Sequence, residues 1–251
     1  MSTEALKELL YKIADDQLIL GHRNSEWTGM GPLLEEDIAF SSMAQDKIGH
    51  SLAMYSLLHS LGEQEPDTVA FTRNAARFHN SVLVELPNGE YDFSLVRHFL
   101  YDTAEKLRFG MLSHSSCEPL AQVAVKIRGE LLYHTLHART FMKQLGTATE
   151  ESIGRMQSAL NTALPYALGL FEPSPFEKTL IRDGIFAGEA ELQQRWTAEV
   201  EKVIANTRLS LPAWGDVRPV YGGRAGKHSE HLQPLLDEMS AVFRIDPSAE
   251  W

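Results

Sequence analysis

The sequence predicts an all-α helical bundle, and three observations carry that prediction. Apolar residues recur at helical spacing along nearly the whole chain. Strand patterns are almost absent. Two acid–histidine pairs recur 84 residues apart, each at the same distance before a Leu-Gly stop: Asp46, His50, Leu61 and Gly62 correspond to Glu130, His134, Leu145 and Gly146.

The elements follow in order. Leu6, Leu9, Leu10, Ile13, Leu18 and Leu20 place a first helix that ends between Gly21 and Thr28. Pro32 suits a first helical turn, where no N–H donor is needed, and opens a second helix from about Leu33 to Leu61, which Gly62 stops. A third runs from about Phe93 to Ser116, and a fourth from Pro119 to Leu145. Thr147 and Glu150 have capping-box spacing before a fifth helix that reaches Phe171. Ser174, Pro175 and Glu177 start a short sixth. Leu192, Trp196, Val200 and Val203 share one face of a seventh, from Glu189 to Leu209. The last helix, from about Ser229 to Phe243, carries Leu232, Leu235, Leu236, Met239 and Val242. Only Ser81 to Leu86 has β character before the turn Pro87-Asn88-Gly89, and a lone strand cannot pair, so an extended crossover is expected there. Two helical hairpins joined by a long crossover make a ferritin-like bundle, here with additional C-terminal helices. No low-complexity linker divides the chain, which predicts a single domain over residues 1–251.

Composition narrows the function. With 43% hydrophobic and 23% charged residues the chain can bury a real core, and its formal charge of −11 argues against nucleic acid as a partner. A single cysteine, Cys117, forms no internal disulfide, so a reducing compartment is expected. The N-terminus passes straight into an amphipathic pattern with no signal-like apolar run, and no stretch approaches the ~18 apolar residues of a membrane helix. The expectation is a cytoplasmic protein with no membrane partner.

The acid–histidine pairs carry the chemistry. Diiron carboxylate bundles gather two histidines and about four carboxylates between four helices, with Glu-x-x-His on two of them because i and i+3 share a face. An acid preceding that glutamate can orient the histidine. Here Asp46 precedes Lys47 with His50 three residues on, and Glu130 precedes Leu131 with His134 three residues on. The orienting acids and histidines are in place, but Lys47 and Leu131 replace the ligand glutamates. Lysine brings positive charge where two cations need carboxylates, and leucine brings no donor atom. We expect no competent dinuclear centre, no catalytic residue and no cofactor bound by this chain. Asp15, Asp16, Asp102 and Glu105 are the remaining candidate carboxylates, and a buried Lys47 would need one of Asp16, Asp102 or Glu105 as its partner. The loop Gly222 to His228 could hold an anion through Arg224 and Lys227. There is no phosphate-binding or dinucleotide fingerprint, and Cys117 has no base near it in sequence.

The stretches Leu18 to Trp27, Asp67 to Arg73 and Leu83 to Gly89, with Glu130, Tyr133-His134, Gly222-Gly-Arg224 and His228 to Leu232, identify a resemblance. The chain resembles, almost end to end, the PaaC family of bacterial phenylacetyl-CoA epoxidase components. That resemblance implies a ferritin-like fold and a structural, non-catalytic role in a multicomponent diiron oxygenase. It implies as partners a homologous catalytic subunit (PaaA-like) that holds the diiron centre, and reductase components. Pairing with a second copy is also compatible with it. The alternative is an independent diiron oxidase or oxygenase with unconventional ligands. His22 and Trp27, in a polar-aromatic segment between the first two helices, are the expected partner interface.

Overall fold

The computed structural model describes residues 2–247 and 249. Among the described residues there are ten α-helices and no strand: α1 (Thr3–Ser25), α2 (Leu34–Ser60), α3 (Pro66–Thr72), α4 (Val82–Glu85), α5 (Tyr91–Leu112), α6 (Glu118–Leu145), α7 (Glu150–Leu168), α8 (Glu177–Arg182), α9 (Glu189–Ile204) and α10 (Leu232–Ser240). The all-α class is as predicted and is consistent with a ferritin-like bundle. No helix is long and apolar enough to cross a membrane among the described residues.

The described residues form two compact units, one of residues 3–87 with 222–247 and one of residues 88–221. In the first, α1 and α2 pack as a hairpin, with α4 against α1, α3 against α2, and α10 against α3. Every residue from Lys12 to Gly21 is buried, so this stretch of α1 is covered on all sides. The expected extended crossover is corrected here. Val82–Glu85 forms one helical turn, because the N–H groups just before it donate to carboxylates of α1 rather than to a strand: His79 N to Asp15 (2.7 Å) and Ser81 N to Asp16 (2.7 Å). The C-terminal loop crosses so closely that a Cβ on Gly223 would lie 2.2 Å from the Asn80 carbonyl.

In the second unit α5 and α6 form the equivalent hairpin, with α7 and α9 packed on α5 and α9 also touching α6. Val96 to Glu105, the stretch 84 residues after Lys12 to Gly21, is again buried without a break. Trp196 of α9 seats its ring 5.1 Å from Phe171 and donates its indole N–H to the Leu100 carbonyl (2.9 Å). The start of α7 differs from the expected capping box. Thr149, not Thr147, is the N-cap, and its hydroxyl accepts from Ser152 N (3.2 Å). Thr147 lies a step too early and turns its hydroxyl back to the Lys143 carbonyl (2.8 Å).

Candidate functional site

The half of the expected site that lies on α1 and α2 is built by helix phase. Lys47 and His50, three residues apart, are buried, Asp46 is half-buried, and Ile48 and Gly49 are exposed. Lys47, 0% exposed, therefore stands at the inward position that Glu-x-x-His reserves for glutamate. The α1 carboxylates are turned to other work. Asp15 accepts from both terminal nitrogens of Arg73 (3.0 and 2.6 Å), from His79 N and from the Tyr55 hydroxyl. The Arg73 guanidinium also lies 4.0 Å over the Phe78 ring. Burial works against its charge, yet Asp15 and the Tyr55 oxygen outweigh it and hold its pKa above that of an ordinary arginine. Asp16 accepts from Arg224 (2.8 Å) and Ser81 N. Glu85 accepts from the Asn80 amide (3.0 Å) and Ser229 N and lies 2.9 Å from His228 Nδ1. These three carboxylates fasten the crossover and the C-terminal loop.

In the other unit, α5 and α6 bring two histidines to one aspartate, with a third histidine beside the first. His98 Nδ1 meets Asp102 Oδ2 one turn further along α5. His134 Nδ1 of α6 lies 3.7 Å from Asp102 Oδ1. The His98 ring is 6.3 Å from that of His134 and 5.4 Å from that of His137. Leu131 is 0% exposed on the same face as His134, while Glu130 is half-buried. Glu105 accepts from Arg108 Nε (2.8 Å), and Arg108 also binds Glu189, the first residue of α9 (2.7 Å). Burial opposes the Arg108 charge, but Glu189 and Glu105 raise its pKa above the ordinary value.

This donor set does not suit two metal ions. Lys47 contributes a cation, Leu131 contributes nothing, and Asp15, Asp16 and Glu105 each already neutralise an arginine. Among the described residues no three His, Cys, Asp or Glu side chains are gathered as a metal would require.

The whole chain, residues 1–251, matches the family described as Phenylacetic acid catabolic protein. The chain belongs to that family. Within the phenylacetic acid catabolic proteins it is 33% identical, over 241 residues and 96% of both chains, to the C component of the 1,2-phenylacetyl-CoA epoxidase of Escherichia coli (strain K12).

The other residues singled out in this phenylacetic acid catabolic protein fall as follows. His22 and Trp27 are half-buried at the end of α1 and in the turn after it, and the Trp27 ring lies 6.1 Å from that of Phe40. Beside them is a 570 Å³ groove lined by Leu18, Gly21, His22, Ala44, Ile48 and Phe71 among others. Burial lowers the His22 pKa, and Glu238 only partly offsets it. Arg224 requires a correction. Its guanidinium is buried and donates to Asp16, to Lys12 O (3.2 Å) and to His79 O (2.9 Å), so it is a tie within the unit rather than half of an anion loop. Lys227 is exposed. Cys117 is buried at the N-cap of α6. Sequence reading missed Arg73, Arg108, Glu189, Glu85 and His98. His98 and Arg108 had local signals, their i, i+4 and i, i+3 spacings to Asp102 and Glu105; Arg73 and Arg224 meet their aspartates across 58 and 208 residues of chain.

Proposed function

We propose that this chain is the structural, non-catalytic subunit of a multicomponent diiron oxygenase that epoxidises the ring of phenylacetyl-CoA in aerobic phenylacetate degradation. One observation carries the reading: Lys47 and Leu131 are fully buried where Glu-x-x-His motifs would place metal-ligating glutamates. Asp46, His50, Glu130 and His134 are what remains of that motif, and this chain holds no metal. The diiron centre belongs to a homologous catalytic subunit, and a reductase supplies its electrons. The protein works in the cytoplasm as one ferritin-like domain over residues 1–251. Its task is to hold the catalytic subunit, through a face centred on His22, Trp27 and the groove beside them.

The test is iron content together with reconstitution. Loaded with ferrous iron and desalted, the chain should retain only traces. Epoxidation should require the catalytic subunit, and this chain alone should show none. About two irons per chain, with a diiron absorption band after exposure to oxygen, would overturn the proposal. They would favour the independent oxidase, for which the His98–Asp102–His134 cluster is the specific structural argument.

A further inference from the structure

The anion-binding role expected of the loop Gly222 to His228 has no support there, because Arg224 is engaged by Asp16. A denser group of cations lies within the second unit, where α9 packs on both α5 and α6. Arg128 and Arg139 are eleven residues apart on α6, about three turns, so they stand on one face. Arg139 Nη2 donates to Glu199 of α9 (2.7 Å), which shows where that face is turned. Lys202 follows Glu199 by three residues and shares its side of α9. Lys106 of α5 completes the group and is half-buried.

On a chain of net charge −11 this group runs against the general balance. Lys106, Arg128, Arg139 and Lys202 set four positive charges against the one carboxylate of Glu199, a surplus of three. Burial lowers the Lys106 pKa, and Arg139, Arg128 and Lys202 lower it further than Glu199 alone restores. Arg139 also keeps donors to spend, since its Nε has no hydrogen-bond partner among the described residues. We propose that this cluster between α5, α6 and α9 is a binding site for a phosphate group. A carboxylate would bring one charge and two oxygens in a plane. A phosphate monoester brings a charge of about −1.5 to −2 at neutral pH and three oxygens, which suits cations converging from three helices. Arginine forks fit such oxygens in pairs, and lysine adds a point charge. Free phosphate and the phosphate of a nucleotide present the same chemistry here. The site belongs to one unit and is independent of the non-catalytic role.

Calorimetric titration of the purified full chain tests the site, with inorganic phosphate and adenosine 5′-monophosphate as probes and sodium chloride holding ionic strength constant. One saturable site per chain is expected for at least one probe. Arg139→Gln and Lys106→Met should each weaken binding by about tenfold, the loss of one charge-assisted contact. Glu199→Gln should tighten it, because the competing carboxylate is gone; a folding defect would not raise affinity. At saturating probe, acetylation of Lys106 by acetic anhydride, followed by mass spectrometry, should slow several-fold. Tighter binding of inorganic phosphate supports the site with free phosphate as its source, and tighter binding of the monophosphate supports it with a nucleotide. No saturable binding of either probe would overturn the proposal. So would binding indifferent to Arg139→Gln, Lys106→Met and Glu199→Gln. A chain that ignores both probes and binds only poly-glutamate would make the cluster a face for an acidic protein and equally overturn the phosphate assignment.

Discussion

Lys47 buries an ammonium in a helical core, and a charge taken out of water opposes folding unless its surroundings compensate. Methionine keeps most of the volume and removes the charge. Lys47→Met should therefore be the milder of two changes. Arg73→Leu, which strands the Asp15 carboxylate, should lower stability by about 3–5 kcal/mol. Urea unfolding of both variants checks this, and equal losses would remove the contrast. His22 makes a second residue-scale prediction. Burial holds its folded pKa below 6.5, so the unfolded chain takes up a proton more readily than the folded one. Its contribution is complete above pH 6.5 and is lost as pH falls through the unfolded value. His22→Gln should reduce the drop in melting temperature between about pH 7.5 and 5.5; an unchanged drop would assign the acid sensitivity to other groups.

Helices here stop and start where local chemistry tells them to. Gly146 follows α6, Pro119 stands in its first turn, and Thr149 caps α7. Replacing Thr149 by alanine should cost about 1 kcal/mol, the usual loss of an N-cap oxygen. Thr147→Ala should cost only a fraction of that, because its hydroxyl bonds a carbonyl of the preceding helix. The shift in urea midpoint separates the two, and a larger loss at Thr147 would return the cap to the box expected from spacing. The α2, α5 and α6 boundaries were readable to within a few residues, since apolar period, proline and glycine are local signals. The one-turn α4 was not readable. Val82, Leu83 and Val84 favour extension, and the carboxylates that decide otherwise lie on α1.

At the scale of the whole molecule, the proposed partner face is the part of the reading most open to test. Trp27 is half-buried beside an apolar groove, the setting in which an aromatic side chain anchors an interface. Trp27→Ala should retain its melting temperature to within a few degrees and lose most of its pull-down of the catalytic subunit, with epoxidation by the mixed complex falling in proportion. Unchanged binding would move the interface elsewhere. A collapsed melting temperature would show that Trp27 serves only the fold.

The order of residues alone determined the helical class, the paired hairpins and the presence of Lys47 and Leu131 where a Glu-x-x-His spacing would have glutamate, because period, breakers and that spacing are all written within a few turns of chain. It also carried the family resemblance, spread over many short stretches. Only the tertiary structure decided which acids are engaged and by what. Asp15, Asp16 and Glu105 look alike in sequence as candidate ligands, yet each binds an arginine, two of them from distant segments. Arg224 looked like an anion-holding loop residue until the fold placed Asp16 beside it. The physical reason is common to these cases. A buried charge must be neutralised by whatever the fold brings within about 3 Å, and chain distance carries no information about that neighbour.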